Sequence, residues 1–294
     1  MTVDLACGDP AFLDLTFVGL DALPAPGEER HARDLLRTPG GAATIAIGAA
    51  RLGMSAALAM PLGADADGAF LRAALEAEGV ACSPRTVDRT AVTAVVPWDG
   101  ERAMLTFDPS TALEAEDVAA FAPRAVALSV RRLHCAPAGA TVYALVGDAE
   151  ARAAAGALGA SDAADALILN AREAMLLTGA GDPAAAARAL AERVGRVVVT
   201  LGADGALAVD RGELVEAAAP AVDAVDTTGA GDLFTAAFIW SDQAGAPLEE
   251  ALRWACLAAS LSVRVPTALA GAQTYDQLVA AGTDRGLAPP ARQS

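Results

Sequence analysis

Short apolar runs alternate along most of the chain with segments in which apolar residues recur every three to four positions. The runs predict strands and the periodic segments predict helices, because side chains repeat every 2 residues in a strand and every 3.6 in a helix. From residue 114 onward the two kinds of element alternate, which is typical of a mainly parallel sheet covered by helices on both faces. The predicted strands are 3–7, 56–60, 126–133, 166–169, 197–200, 206–209 and 222–225, and the predicted helices are 42–52, 67–78, 140–157, 173–177, 183–192, 233–240, 248–263 and 275–281.

Two segments do not follow this alternation. Residues 14–37 are rich in glycine and proline, with alternating polar and apolar positions at both ends. Residues 91–97 and 102–107 are strand-like and flank an Asp-Gly pair, which is a hairpin signal. We therefore predict a small separate β-sheet, a lid, from about 12–38 and 90–108. Residues 1–285 are expected to form one domain, followed by a loose tail at 286–294.

Composition excludes several classes of function. The 294 residues carry a formal charge of −16, and all 21 basic residues are arginine. So acidic a chain is unsuited to nucleic acid or an anionic membrane, and without lysine it has no Walker-type phosphate loop. We find neither an apolar stretch of about 18 residues nor a basic signal region, so the cytoplasm is the expected location. Four separated cysteines indicate free thiols, and two histidines are too few for a metal cluster.

The most informative motif is Asp226-Thr227-Thr228-Gly229-Ala230-Gly231-Asp232, which directly precedes an apolar helical run. Glycines allow a tight turn, and the free N–H groups at the start of the following helix then form an anion site. A carboxylate is a poor phosphate ligand, but Asp232 is suited to take a proton from an attacking hydroxyl. The alternative is a capped helix start. Because 222–225 is a predicted strand, the motif is expected at a carboxyl edge of the sheet, where ligands bind.

Four further motifs occur in a fixed order with this one. They are Gly40-Gly41 before a helix ending in Arg51-Leu52-Gly53, Leu62-Gly63-Ala64-Asp65-Ala66-Asp67-Gly68, Asn170-Ala171-Arg172-Glu173, and Thr200-Leu201-Gly202-Ala203-Asp204-Gly205. Together they resemble the ribokinase-like (phosphofructokinase B) family of sugar and nucleoside kinases, over about residues 3–285. The resemblance implies a three-layer α/β/α fold with a small β lid, and phosphoryl transfer from ATP to a hydroxyl of a small polar substrate.

The resemblance also implies roles for particular residues. Asp232 would be the general base, and the N–H groups of Gly229, Ala230 and Gly231 would stabilise the charge on the transferred group. Asn170 and Glu173 would organise Mg²⁺, partly through water; the alternative is a helix capping box. The expected nucleotide site comprises Thr200, Gly202, Gly205, Thr228, Ala268 and Gly271, although 200–205 also fits a plain hairpin turn. Asp226 with Thr228 would hold a potassium-like cation.

For the acceptor, the resemblance implies binding by Asp14, Gly40, Gly41 and Thr44. A carboxylate accepts hydrogen bonds from vicinal hydroxyls, although Asp14 also fits an ordinary surface loop. The pattern departs from the family in three places, one of which is that Gly8 and Asp14 are one residue further apart than in the family pattern. Thr44 stands where the family has Asn, and the stretch between His134 and Asn170 is short enough to predict that one strand–helix unit is missing.

The predicted function is an ATP-dependent kinase for a sugar or sugar acid. The alternatives are a nucleoside kinase and a ligand-binding regulator that kept the fold and lost catalysis. A sugar-phosphate acceptor would require cations, for which Arg37, Arg89 and Arg102 are candidates. Apolar lid residues, which suit an exposed edge, also predict a homodimer through the lid; they are Val92, Val95, Leu105 and Phe107.

Overall fold

The computed structural model describes residues 2–20, 22–98, 101–153 and 164–290, without the side chains of 97, 98, 101 and 102. Within those ranges the chain forms fifteen strands: β1 Leu5–Cys7, β2 Ala11–Val18, β3 Asp34–Gly41, β4 Ala56–Leu58, β5 Leu62–Gly63, β6 Ala81–Cys82, β7 Thr86–Val87, β8 Ala91–Trp98, β9 Glu101–Phe107, β10 Ala125–Ser129, β11 Thr141–Leu145, β12 Ala166–Asn170, β13 Arg196–Thr200, β14 Ala206–Asp210 and β15 Glu213–Ala217.

The described ranges also contain ten α-helices: α1 Ala42–Arg51, α2 Ala66–Ala77, α3 Ala115–Ala119, α4 Asp148–Ala153, α5 Ala171–Thr178, α6 Pro183–Val194, α7 Ala230–Gln243, α8 Leu248–Ser262, α9 Ala268–Gly271 and α10 Tyr275–Thr283. Two short 3₁₀ turns accompany them, Leu133–Cys135 and Gly202–Asp204.

The central sheet has nine strands in the described part of the chain, in the order β15-β14-β13-β12-β11-β10-β1-β4-β6. The strands from β13 to β6 pair in parallel, while β14 and β15 are added antiparallel at one edge. Helices flank this sheet, as the alternation of elements predicts. Parallel strands covered on both faces read as continuous apolar runs, and Val197, Val198 and Val199 of β13 are fully buried accordingly.

Helix α7 lies in the core. This helix is buried from Leu233 to Ser241, which is expected of a helix that is apolar on all sides. Trp240 meets Trp254 of α8 edge to face, with ring centroids 5.7 Å apart. Phe238 meets Tyr143 of β11 in the same way at 6.3 Å. Helix α7 is therefore packed in the core along most of its length.

The predicted helix over 140–157 is wrong at residues 141–147 and is confirmed at 148–153, and the predicted loss of a strand–helix unit is wrong. Thr141–Leu145 is strand β11, which lies between β10 and β12, and helix α4 begins only at Asp148. Thr141, Val142 and Tyr143 are good strand formers, and Gly147 separates them from the Ala-rich helical sequence. Residues 154–163 lie outside the described part of the chain.

The predicted strand over 222–225 is also wrong. These residues have no regular secondary structure, and Val225 is 63% exposed. The N–H groups of Val225 and Asp226 both donate to the carbonyl of Val263, at 2.7 and 3.1 Å. The motif at residues 226–232 is therefore anchored to the end of α8 rather than to a sheet strand.

The lid is a separate sheet, four-stranded within the described residues, in the order β3-β2-β8-β9. Strand β2 pairs antiparallel with β3 and parallel with β8, and β8 pairs antiparallel with β9. Residues 99 and 100 of the predicted hairpin turn lie outside the described residues. The lid is fixed at the root of β8 by Asp65, whose carboxylate accepts from the Thr90 N–H at 2.9 Å and from the Thr90 hydroxyl at 2.5 Å.

The described part of the predicted tail is packed against the domain. Leu287 is buried, its N–H donates to the Gly282 carbonyl, and the Trp254 indole donates to the Ala288 carbonyl at 3.3 Å. All four cysteines are free thiols, three of them buried. Among the described residues, no helix is both long and apolar enough to cross a membrane.

Candidate active site

The turn before α7 is held in place by the carboxylate of Asp226, the first residue of the motif. Asp226 Oδ1 accepts from the N–H and the hydroxyl of Thr228, at 2.8 and 2.6 Å, and Oδ2 accepts from the Thr267 N–H at 2.9 Å. Gly229 follows as the N-cap with a φ of 70°, in the left-handed region that favours glycine, and no side chain caps the helix. Of the first-turn N–H groups of this 14-residue helix, that of Ala230 donates to the Thr227 carbonyl at 3.3 Å. The positive end of the helix dipole lies at this turn.

Two cavities lie on either side of this turn. The first, of about 300 Å³, is lined by Thr228, Gly229 and Asp232 together with the lid. The second, of about 460 Å³, is lined by Thr227, Ala230 and Gly231 together with the edge of the central sheet. Consecutive residues of one turn therefore border both cavities, and a group bound in either cavity approaches the same helix N-terminus.

Asp14 dominates the lid side of the first cavity. Its carboxylate lies over Gly40, where a Cβ atom would come within 2.1 Å of Asp14 Oδ2, so a larger residue at this position would displace the Asp14 carboxylate. Burial, with a smaller contribution from the nearby Asp226 carboxylate, raises the pKa of Asp14 to about 7. Gly41 has a φ of 61° and lines the same cavity. Thr44 also lines it, and its hydroxyl donates to the Pro39 carbonyl at 3.3 Å.

The structure thus brings together Asp14, Gly41, Thr44 and Asp232, with Gly40 directly beneath Asp14. Sequence reasoning missed most of the rest of this cavity, which is rich in threonine. The missed lining residues are Phe12, Thr16, Thr38, Pro39, Thr93, Met104, Thr106 and Thr267. Their alternation along strands is visible in the sequence, but which of their faces meets the cavity depends on the pairing of four distant strands.

The second cavity contains the predicted Thr200, Gly202 and Gly205. Gly205 has a φ of 105°, and a Cβ atom there would come within 2.1 Å of the Ala217 carbonyl oxygen, so the turn depends on glycine. The remaining wall was not predicted as a site: it comprises Ala203, Ala219, Pro220, Ala221, Val222, Ala224, Phe234, Cys256, Ala259, Ser260 and Val263. The apolar run over 222–225, taken from the sequence for a strand, contributes two of these residues.

Three residues expected in the nucleotide site, Thr228, Ala268 and Gly271, are placed differently from the sequence-based expectation, and Thr228 lines the first cavity. Ala268 lines the first cavity and lies against Gly229, where a Cβ atom would come within 2.5 Å of the Ala268 Cβ. Gly271 is buried against the Ser262 backbone. None of the three lines the second cavity, whose wall in this part of the chain is supplied by Ser260 and Val263.

Asn170 and Glu173 form a capping box at the start of α5. Asn170 Oδ1 accepts from the Glu173 N–H, and Glu173 Oε2 accepts from the Asn170 N–H, both at 2.9 Å. Burial raises the pKa of Glu173 to about 7. Asn170 ends β12 and pairs with Thr200, which lines the second cavity. Oxygen ligands at this position suit Mg²⁺ beside bound phosphates, although no group of three or more His, Cys, Asp or Glu in the described residues forms a metal cluster.

Comparisons with known proteins agree with this arrangement. The model of the pfkB family carbohydrate kinases matches residues 5–274. Ribokinase of Arabidopsis thaliana is 46% identical over 78 residues, and acarbose 7(IV)-phosphotransferase of Actinoplanes sp. is 40% identical over 80 residues. Each match covers 26% of this chain, and they span 21% and 27% of those two relatives.

Solved structures match over nearly the whole chain. A probable sugar kinase from Rhizobium etli superposes with a TM-score of 0.82 at 24% identity, covering 98% of this chain and 100% of that one. Arabidopsis thaliana ribokinase complexed with ribose and ATP gives a TM-score of 0.76 at 26% identity, covering 95% and 98%. The family match, which spans most of the chain, shows that this protein belongs to the pfkB family of carbohydrate kinases.

Proposed function

We propose that this protein transfers a phosphoryl group from ATP to a hydroxyl of a sugar. The observation that carries the proposal is the turn shared by the two cavities. ATP in the larger cavity would present its terminal phosphate to the first-turn N–H groups at Ala230 and Gly231. An alcohol in the smaller cavity would reach the same point beside Asp232. Positioning of the two reactants and stabilisation of charge are the main requirements of phosphoryl transfer.

Each group at the turn has a chemical task in this proposal. Asp232 accepts the proton of the attacking hydroxyl, and the N–H groups of Gly229, Ala230 and Gly231 stabilise the charge on the transferred group. Asn170 and Glu173 would hold Mg²⁺, which neutralises phosphate charge when it is bound. Asp226 organises the loop through its three hydrogen bonds. A requirement for a monovalent cation beside Asp226 and Thr228 is tested by comparing rates in K⁺ and Na⁺.

The acceptor cavity favours an uncharged sugar over a sugar acid or sugar phosphate. Its described lining contains two carboxylates, Asp14 and Asp232, and no arginine. Two of the candidate cations are engaged elsewhere: Arg37 pairs with Asp67 at 3.0 Å and lies over the Phe70 ring, and Arg89 lies over the Phe107 ring. The Arg102 side chain lies outside the described residues. An anionic acceptor would therefore meet repulsion at the described lining.

A nucleoside kinase remains the second candidate, because the family includes nucleoside kinases. Stacking a base requires aromatic side chains, and among the described lining residues of the first cavity Phe12 alone is aromatic. A sugar fits this lining better. The cytoplasm is the proposed compartment, because the reaction consumes ATP.

The test is Asp232→Asn, assayed for ADP release with a panel of sugars, sugar acids and nucleosides. We expect turnover to fall by about 10²- to 10⁴-fold, with nucleotide binding by calorimetry preserved because Asp232 does not line the second cavity. Asp223→Asn, at an exposed position of the preceding loop, is the matched control. Full activity of Asp232→Asn would exclude the base. Binding of acceptors without turnover by the wild-type protein would instead indicate a ligand-binding regulator.

We also propose a homodimer through the lid. Leu35, Leu105 and Phe107 are 47%, 75% and 44% exposed, which is typical of a contact surface, and β9 is an unpaired edge strand in the described lid. Two of the predicted contact residues are placed elsewhere: Val95 is buried and Val92 packs against the core.

A further inference from the structure

One rung of the lid is polar across all four strands. Asp14 pairs with Thr38 on one side and Thr93 on the other, and Thr93 pairs with Thr106. We call Thr38, Asp14, Thr93 and Thr106, in that order from β3 to β9, the polar row. All four side chains line the first cavity. Directly paired residues lie on the same face of a sheet, so the row presents one carboxylate and three hydroxyls to the same ligand.

The polar row is longer than one sugar ring. Neighbouring strands lie about 4.8 Å apart, so the row spans roughly 14 Å, and Thr106 lies roughly 10 Å from Asp14. A six-membered ring with its hydroxyl oxygens measures about 6 Å across, because its bonds are about 1.5 Å long. A ring that contacts both Asp14 and Asp232 therefore leaves the β9 end of the row uncovered. We call this end, formed by Thr93 and Thr106, the outer end, and the end at Thr38 the inner end.

The outer end is chemically suited to a second sugar unit. The hydroxyls of Thr93 and Thr106 are 3.1 Å apart, so one donates to the other. The pair keeps one donor and several acceptor positions for a ligand, as a polyol requires. Met104 lines the cavity beside them and is 57% exposed, which offers an apolar surface to the C–H face of a ring. No charged or aromatic side chain occurs among Thr93, Met104 and Thr106.

The opposite face of the same edge strand has a different chemistry. Leu105 and Phe107 alternate with Met104 and Thr106 along β9, and Arg89 lies over the Phe107 ring at 4.8 Å. Strand propensity alone does not place hydroxyls on one face and large apolar groups on the other. Along β9 the residues that line the cavity are therefore Met104 and Thr106, while the large apolar groups of Leu105 and Phe107 lie on the other face.

We propose that Thr93, Met104 and Thr106 form a second acceptor subsite that binds an uncharged sugar unit, so that the acceptor is a disaccharide or a larger glycoside. This proposal rests on the proposed function, because the first subsite is defined by the reacting ring at Asp14 and Asp232. It goes further in assigning the lid a role in choosing acceptor length.

The test compares one sugar with its glycosides: glucose, methyl glucosides, maltose, cellobiose, lactose, sucrose, trehalose and maltotriose. Phosphorylation is followed by ADP release and by the mass of the product, and affinity is measured by calorimetry. We expect the best disaccharide to exceed glucose at least about 10-fold in kcat/KM, mainly through KM. The affinity for the disaccharide should exceed that for glucose in the absence of ATP as well.

Two substitutions at opposite ends of the polar row separate this subsite from a general effect on the lid. Thr106→Val keeps the side-chain shape and strand propensity but removes the hydroxyl, and should lower the disaccharide-to-glucose ratio of kcat/KM by about 3- to 10-fold. Thr38→Val should change that ratio by less than about twofold, because Thr38 lies at the inner end. The thermal midpoints of both variants verify that the lid has folded.

The outcomes are distinguishable. The second subsite is overturned if glucose is phosphorylated and bound as well as every glycoside. It is also overturned if Thr106→Val leaves the disaccharide-to-glucose ratio of kcat/KM unchanged. Either result leaves the kinase proposal intact. A preference for the disaccharide in binding, with no phosphorylated product from any acceptor, overturns the kinase proposal and supports the subsite. If Thr38→Val lowers the disaccharide-to-glucose ratio of kcat/KM as much as Thr106→Val does, the second subsite is also overturned.

Discussion

The Asp14→Asn substitution is expected to raise the free energy of unfolding at alkaline pH and to weaken binding of the acceptor. Burial, and to a smaller extent the Asp226 carboxylate, raises the pKa of Asp14 from its ordinary value of 3.8 to about 7. The native state therefore binds this proton more tightly than the unfolded chain does. No described basic residue lines the cavity that Asp14 faces, so ionisation in the native state is uncompensated until a ligand binds.

The sign of the pH dependence follows from linkage. Below pH 4 the Asp14 carboxyl is protonated in both the native and the unfolded state, so it does not lower the free energy of unfolding. Between pH 4 and 7 the unfolded chain loses its proton while the native state retains it, so the free energy of unfolding falls as pH rises. A pKa difference of about 3 corresponds to at most about 4 kcal/mol. Between pH 5 and 8 the wild-type protein should lose about 2–3 kcal/mol that Asp14→Asn retains.

Thermal unfolding at pH 5 and pH 8 measures this difference. For a domain of this size, 2–3 kcal/mol corresponds to about 5 °C in the thermal midpoint. The midpoint of the variant minus that of the wild type should therefore be about 5 °C larger at pH 8 than at pH 5. Burial also raises the pKa of Glu173 to about 7, but that carboxyl is common to both proteins and cancels. Asp223→Asn, at an exposed position, controls for loss of a negative charge.

Acceptor binding should show the opposite sign in the same pH window. Ionised Asp14 accepts hydrogen bonds from two hydroxyls, so the wild-type acceptor KM should fall as pH rises through about 7. The KM of Asp14→Asn should be at least about 10-fold higher, since hydrogen bonds to charged groups are the stronger ones, and it should lack this dependence. An equal stability difference at both pH values, or a variant that is relatively less stable at pH 8, would refute the reasoning.

Three further predictions test the rest of the structure. Gly205→Ala should lower the thermal midpoint by several degrees and weaken ADP binding in calorimetry, because the new Cβ atom would lie 2.1 Å from the Ala217 carbonyl oxygen. Gly202→Ala is the control: its Cβ atom would have no neighbour within 4 Å, so the substitution should cost only about 1 kcal/mol. Thr90→Val removes the hydroxyl that donates to Asp65 at the root of the lid; it should cost about 1–3 kcal/mol and raise the acceptor KM more than the KM for ATP, and equal effects on both would argue against a lid anchor. Leu105→Asp should convert the proposed lid dimer into a monomer by light scattering, and a wild-type protein that is already monomeric at micromolar concentration contradicts the dimer.

Features set by local sequence could be predicted. The turn at Gly229 and the capping box of Asn170 and Glu173 each depend on residues within a few positions of one another, and both occur as their sequences indicate. The parallel sheet follows from the alternation of apolar runs and periodic segments. Its strands are buried on both faces, so their apolar runs are unbroken and easily recognised.

Two misassigned segments show where local pattern is insufficient. Strand β11 is a five-residue stretch joined to an Ala-rich sequence, and alanine weights the whole region toward helix. Its burial between β10 and β12 overrides that preference. The apolar residues Val222 and Ala224 line the second cavity instead of pairing in a sheet. An apolar run reports that its side chains avoid water, but it does not distinguish a neighbouring strand from a ligand.

The lining of the first cavity could be predicted only in part, because that cavity is assembled by strand register. Asp14 and Thr106 are far apart in sequence and share a rung only because β2 pairs with β8, and β8 with β9. A shift of one residue in either pairing would turn Thr106 away from the cavity. Spacing along a single strand does not contain that information.

Two unfavourable choices coincide at one point of the lid and argue for a polyol ligand there. A glycine inside a strand weakens it, yet Gly40 lies in β3 where any larger residue would displace Asp14. A carboxylate whose pKa is raised by burial reduces stability at neutral pH, yet Asp14 occupies that position. A lid selected for stability alone would keep neither residue. Donated hydrogen bonds from a bound sugar would satisfy the carboxylate and offset both costs, so the free energy that folding loses at Asp14 is recovered when the acceptor binds.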